Sequence, residues 1–448
     1  MLSRRRLLIG FGVTGAAALL AACSNAAAPT AAPTAAPAKP TEAAKPTSAP
    51  AAATTPAAAT TAPAATTAPA ATTAPAATKP ATAATTSAAP AATAPAQAAT
   101  GETIYFGVSG PFTGDNAEYG RDWKKGFGLA LDEINGAGGI KGRKLDLVYE
   151  DTQADPKQAV AVAQKFVNDP KILAELGDFA SPASMAASPI YQRGKLVQFG
   201  FTNSHPDFTK GGDYMFSTAV TVDQDAAYQA QVAFQKLGGK RQAVLWRNTD
   251  WGKTTSQVYL STSKQLGADV AYVDSYLETE KDFKSLLAKV RDAKPDVLSL
   301  IAYYNDAALI VQQARQAGVD AKVIANGSSY SPQFVKLAGD AANGTVMPTV
   351  FFPDSPVPGM KEFVQKSKQA YGDDPDQYVA RAYDALKILA WAATTGGADR
   401  EGIKKALAEG KEIPSIIYGP FAFGPDRRVA NPQEVLVQVK DGKFVPFQ

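Results

Sequence analysis

The residues best suited to hold a small molecule lie in Gly177-Asp178-Phe179-Ala180-Ser181-Pro182-Ala183-Ser184. A short apolar run, Lys171–Leu176, precedes them and reads as a buried parallel strand. Pro182–Gln192 reads as a helix, with Ser181 as its N-cap and Pro182 in the first position. A helix start carries free N–H groups at the positive end of the dipole, and the hydroxyls of Ser181 and Ser184 add donors. The chemistry such a turn offers is anion binding. The alternative is an ordinary capped helix behind a strand. Covalent catalysis finds little support. Cys23 is the only thiol and His205 the only imidazole in 448 residues, and no Gly-x-Ser-x-Gly elbow surrounds Ser181. His205 lies in Asn203-Ser204-His205-Pro206-Asp207-Phe208, which reads as a turn where it is structural or exposed.

The elements that must position these residues alternate. Strands are expected at Thr103–Val108, Lys144–Tyr149, Lys171–Leu176 and Leu196–Phe199, separated by helical patterns at Arg121–Gly136 and from Asp155 to Asn168. A second series follows Tyr214–Ala219. Its strands are Gln242–Trp246, Val270–Ser275, Asp296–Ile301, Lys322–Ala325 and Thr345–Val350. Helices near Lys361–Ala370 and Tyr378–Ala393 come next, and Tyr418–Gln448 reads as strands with turns. The fold class is α/β, with two parallel Rossmann-like lobes. Ligands bind beyond the carboxyl ends of such strands. Those ends here are Ser109–Tyr119, Gly177–Ser184, Gly200–Ser204, Arg247–Trp251, Ala302–Tyr304 and Asn326–Tyr330. Their hydroxyls, amides and rings suit a small, partly apolar ligand with a polar head. The Ser109–Gly114 loop lacks the Gly-Lys-Ser/Thr ending of a phosphate cradle.

The N-terminal hundred residues have a different character. Arg4–Arg6 precede the apolar run Leu7–Ala22, shorter than a bilayer span, which gives a signal peptide over 1–22. Leu20-Ala21-Ala22-Cys23 resembles the lipobox of bacterial lipoproteins. That resemblance implies cleavage before Cys23 and its lipidation, hence a cell-membrane anchor on the extracytoplasmic face, in a periplasm or at a cell surface. Ser3-Arg4-Arg5-Arg6-Leu7-Leu8 also resembles a twin-arginine export motif. Residues 23–100 are almost entirely Ala, Pro and Thr, with a six-residue repeat marked by Pro63, Pro69 and Pro75. This composition cannot bury enough surface to fold and reads as a disordered tether. At ~3.1 Å per residue its reach is on the order of 200 Å. The formal charge of +3 owes much to Arg4–Arg6, and the remainder from Gly101 onward is slightly acidic. Nucleic acid is therefore not an expected partner.

Several stretches together resemble the type I periplasmic binding proteins, in the leucine/isoleucine/valine-binding branch that serves ABC importers. They are Ser109-Gly110-Pro111-Phe112-Thr113-Gly114 with Tyr119-Gly120, and Asp132-Glu133-Ile134-Asn135 with Gly138-Gly139-Ile140-Lys141-Gly142. Asp155-Pro156-Lys157-Gln158-Ala159 and Ala314-Arg315-Gln316-Ala317-Gly318 add to them. The resemblance covers nearly all of Gly101–Gln448. It implies two lobes joined by three hinge crossings, placed near Thr221, Val350 and Tyr418. Lobe I then comprises 101–221 with 351–418, and lobe II 222–350 with 419–448. It implies a ligand carboxylate held by Ser181, Thr202 and Ser204, within walls formed by Tyr119, Trp251, Tyr303 and Tyr378. For the tyrosines the alternative is packing. One departure is plain: the family's ammonium-pairing glutamate falls at Gly327, between Asn326 and Ser328. Asn326 and Asp225 complete the expected ligand-binding set, with Asp250 and Asp384 as other sources of negative charge.

The function implied is a substrate-binding protein that closes over a small carboxylate, foremost a branched-chain or other hydrophobic amino acid, and delivers it to a permease driven by an ATPase. An aromatic carboxylate, an amide or urea is the alternative ligand. A sensor for a membrane receptor and a surface-anchored hydrolase are the alternative functions. No cofactor or metal is expected, and the chain is expected to act as a monomer.

Overall fold

The structure is a computed structural model that describes residues 101–430 and 432–447. The signal segment, Cys23 and the tether lie outside the described residues.

The first sheet holds five parallel strands: β1 (Gly101–Gly110), β2 (Arg143–Asp151), β3 (Ile172–Leu176), β4 (Val197–Phe199) and β5 (Met215–Phe216), in the order β2-β1-β3-β4-β5. Between them run α1 (Ala117–Gly136), α2 (Pro156–Asn168) and α3 (Ser181–Arg193). Helix α2 begins as its sequence dictates: the Asp155 carboxylate accepts from the N–H groups of Lys157 and Gln158, and Pro156 follows at once. The chain then enters α4 (Val222–Gln231), which ends in a π-turn over Val232–Lys236.

The second sheet is built from β6 (Arg241–Arg247), β7 (Asp269–Tyr276), β8 (Val297–Ile301), β9 (Lys322–Ala325) and β10 (Val346–Thr349). Interleaved are α5 (Asp250–Gln265), α6 (Lys284–Ala293), α7 (Tyr304–Gln316) and α8 (Pro332–Ala338). Helices α9 (Met360–Tyr371), α10 (Gln377–Gly396) and α11 (Arg400–Glu409) return to the first lobe, where α10 packs along α1. Gly126 allows that approach, since a Cβ there would meet the Val379 carbonyl oxygen at 2.1 Å. Helix α11, capped by Asp399, has no counterpart among the expected elements. The hairpin β11 (Val435–Lys440) and β12 (Lys443–Pro446) adds antiparallel strands, giving β12-β11-β10-β9-β8-β6-β7.

The central strands are buried on both faces, as at Phe106, Val108, Leu176, Val244, Leu298 and Ile324. This is why they read as apolar runs rather than alternating ones. The chain passes between the sheets three times. The third passage differs from the expected position near Tyr418. Phe423 packs its ring on Phe199 and Phe216 of the first sheet, and the Ser217 N–H donates to the Arg427 carbonyl. The chain therefore stays with the first lobe through Val429 and crosses only before β11. Among the described residues, no helix is long and apolar enough to cross a membrane.

Candidate functional site

Each sheet has one place where neighbouring connections leave in opposite directions: between β1 and β3 in the first, and between β6 and β8 in the second. Loops diverge there and open a crevice at the strand ends. In this chain the two crevices face one another.

The turn after β3 forms one wall. Gly177 adopts φ +142°, and a Cβ on it would lie 2.0 Å from the Ser109 carbonyl oxygen, so only glycine fits. The Asp178 carboxylate accepts from the Ala180 N–H and from the Thr152 hydroxyl. The Ser184 hydroxyl accepts from the Asp178 N–H at 3.0 Å and donates to the Asp178 carbonyl. This corrects the expected capping: Ala180 is the N-cap, Ser181 is already helical, and Ser184 is consumed within the turn. With Asp178 tying the turn, the Ser181 hydroxyl has no partner among the described residues and lines the cavity. The first N–H groups of α3 lie beside it. Glu175 and Asp178 lie beneath. Burial drives Glu175 well above the usual carboxylate range, so it is neutral; burial raises Asp178 to about 6, opposed by the Thr152 bond.

A cavity lies where the two crevices meet. Phe179, Ser181, Thr202 and Ser204 line it from the first lobe, and Trp251, Tyr303, Gly327 and Ser328 from the second. Tyr378 and Arg381 enter from the start of α10, Asp225 from the first turn of α4, and Glu434 from the residue before β11. The walls are braced from behind: the Arg247 guanidinium lies 4.7 Å from the Tyr303 ring centre and pairs with buried Asp306.

Seven of the nine expected ligand residues line this cavity: Ser181, Thr202, Ser204, Asp225, Trp251, Tyr303 and Tyr378. Tyr119 and Asn326 do not. Tyr119 stacks flat on Phe179, with centroids 3.7 Å apart, so Phe179 takes the wall position and Tyr119 stands behind it. The Tyr119 hydroxyl donates to the Ser328 carbonyl at 2.9 Å and accepts from the Tyr304 N–H at 3.2 Å. Asn326 turns inward because its Oδ1 accepts from the Ala302 N–H at 3.0 Å, closing the end of β8. Asp250 and Asp384 also lie away from the cavity; Asp384 holds the Ser415 hydroxyl and the Ile416 N–H. Nor is the Ser109–Gly114 loop an anion cradle, since Asp151 takes the N–H groups of Phe112 and Thr113.

The lobes are drawn together over the cavity. The Trp251 indole donates to Ser204, and Lys281 pairs with Asp115. His205 is buried rather than loose, with Nε2 at 3.2 Å from the Thr254 hydroxyl of the opposite lobe, and burial lowers its pKa so that the ring is neutral.

A family profile described as periplasmic binding protein matches residues 103–443. The chain belongs to the periplasmic binding protein family. A Leu/Ile/Val-binding protein homolog from Brucella suis is 30% identical over 317 residues, covering 70% of this chain and 84% of that protein. Among solved structures, the leucine binding protein LivK of Thermotoga maritima superposes with a TM-score of 0.72 at 25% identity, covering 77% of this chain and 98% of that one. LivJ of Streptococcus pneumoniae, in complex with isoleucine, gives 0.72 at 26% identity, covering 76% and 97%.

The two-lobed α/β architecture of this periplasmic binding protein is thus the type I fold. Among the cavity residues outside the expected ligand-binding set, Arg381 and Glu434 are the charged ones. Arg381 sits one turn beyond Tyr378 on α10 and shares its face, a spacing that helical periodicity carries. Glu434 gives no local signal, because it reaches the cavity only through the third passage.

Proposed function

We propose that this periplasmic binding protein is the extracytoplasmic substrate-binding component of an ABC importer, and that its ligand is an amino acid with a hydrophobic side chain. The observation that carries the reading is the unpaired Ser181 hydroxyl at the start of α3, opening into a cavity walled by Phe179, Trp251, Tyr303 and Tyr378. A carboxylate suits the N–H groups and hydroxyls of Ser181, Thr202 and Ser204; an aliphatic side chain suits the rings. The names of the relatives favour a branched chain. Ligand touching both lobes favours the closed arrangement, which a permease can distinguish from the open one. No covalent step enters.

Calorimetry after unfolding and refolding, which strips bound ligand, tests this with leucine, isoleucine, valine and benzoate. Binding of the amino acids supports it. Binding of benzoate alone favours the second reading, an aromatic carboxylate, for which the ring-rich walls speak. Anchoring is tested separately: Cys23→Ser moves the protein from the membrane fraction into the soluble one, and persistence on membranes refutes the lipid anchor.

A further inference from the structure

The cavity lining carries two kinds of polar group, donors from Ser181, Thr202 and Ser204 and carboxyl groups from Asp225 and Glu434. The two sets are neighbours, because the Val222 N–H that opens α4 donates to the Ser204 carbonyl, and an α-amino acid needs its two charged groups held side by side. The acidic pair is assembled from afar. Asp225 lies in the first turn of α4, just after the first passage, and Glu434 immediately precedes β11, just after the third. Their carboxyl groups hydrogen-bond to each other, an arrangement that needs one proton between them. Arg381 from α10 faces both. Tyr228 and Tyr418, the other titratable groups beside Glu434, have phenols raised by burial and stay neutral. With one shared proton and one guanidinium, this acidic pair is electrically balanced without ligand.

Gly327 makes room for this. A Cβ there would lie 2.9 Å from the Pro348 carbonyl oxygen and 3.8 Å from Asp225 Oδ1. The space that a longer residue at 327 would reach into is thus taken by the Asp225 carboxylate.

We propose that the Asp225–Glu434 pair seats the ligand's ammonium group, and that the ammonium displaces the proton the two carboxyls share. This rests on the amino-acid reading above and adds a stoichiometry to it. One proton leaves for solvent, one ammonium enters, and two carboxylates then face two cations, so the net charge of the site is the same before and after. Burial raises both carboxyls, and the Asp225 charge raises Glu434 further, so the pair keeps one proton at neutral pH. A ligand lacking a cation leaves the proton where it is.

The test is calorimetry on the refolded full chain with L-leucine, L-isoleucine and L-valine, each against its deaminated analogue (4-methylpentanoate for leucine), in buffers of differing ionisation enthalpy. Expected at pH 7 is release of about one proton per bound amino acid and none with the analogue, which binds at least ~100-fold more weakly. Amino-acid affinity rises with pH through neutrality, by up to about tenfold per pH unit, for as long as the free pair holds that proton. Asp225→Asn and Glu434→Gln each abolish the release. The wild-type proton count stands even if a variant misfolds. Amino-acid binding without proton exchange, or matched by the analogue, overturns the ammonium seat while the amino-acid reading survives. Binding of benzoate with no amino acid bound overturns both.

Discussion

The indole Nε1–H of Trp251 donates to the Ser204 hydroxyl at 3.1 Å, joining the start of α5 in the second lobe to the loop after β4 in the first. Trp251 is 3% exposed and lines the cavity, so one side chain is both wall and fastener. Replacing it by phenylalanine keeps most of the wall and removes the bond. Trp251→Phe is expected to weaken ligand binding by about 1 kcal/mol, roughly fivefold, chiefly through faster dissociation. Stopped-flow release of leucine from wild type and variant checks this; equal dissociation rates would show that the bond does not hold the cleft shut.

Ser181→Ala removes the one cavity hydroxyl of the α3 turn that has no partner among the described residues. A buried carboxylate that loses this donor should bind about 1–3 kcal/mol more weakly. Thermal stability in the absence of ligand should change little, because Asp178 and Ser184 hold the turn. Unchanged affinity in titration calorimetry would remove Ser181 from the carboxylate site.

Arg247 and Asp306 form an ion pair whose side chains are 5% and 0% exposed. Arg247→Met leaves Asp306 charged and buried, at a cost of about 3–5 kcal/mol. Asp306→Asn added to Arg247→Met should recover much of that loss, because the uncompensated charge goes. Urea unfolding of both variants separates the outcomes; a double variant as unstable as the single one would mean that Arg247 acts by packing against Tyr303.

Stability should respond to pH in an unusual direction. Burial raises Asp178 to about 6 and Asp384 to about 7 from a reference of 3.8, opposed in each case by hydrogen bonds to the charged form. The folded chain therefore holds protons that the unfolded chain has already lost. Stability falls as pH rises, by roughly 1 kcal/mol per pH unit for each group, from about pH 4 to about 6 for Asp178 and to about 7 for Asp384. Urea midpoints should be higher at pH 5 than at pH 7.5, and Asp384→Asn should flatten the slope. A midpoint that climbs across this range would refute the assignment.

Much of this molecule is legible locally. Asp155-Pro156 and Ser331-Pro332 announce helix starts through capping chemistry that needs no distant partner. Apolar runs such as Ile172–Leu176 announce buried parallel strands. The strand-end loops that meet at the cavity follow from these elements. What stays hidden depends on docking. Tyr119 and Phe179 are both aromatic residues in strand-end loops, and only the packed structure decides which faces the ligand. No side chain caps α3 and Ser181 lies inside it, because the Asp178 carboxylate bonds back within the turn to Ala180 and across to Thr152. Arg381 and Glu434 join Asp225 because separate passages converge, and no window of sequence contains that convergence.

The Ser328 carbonyl oxygen receives two phenols of the first lobe, Tyr119 and Tyr378, each at 2.9 Å. Burial keeps both phenols protonated, so both remain donors. That single oxygen is a shared anchor. Opening the cleft must break both contacts together, and because Tyr378 also lines the cavity, one wall of the cavity is tied to the same main-chain atom that fastens the two lobes.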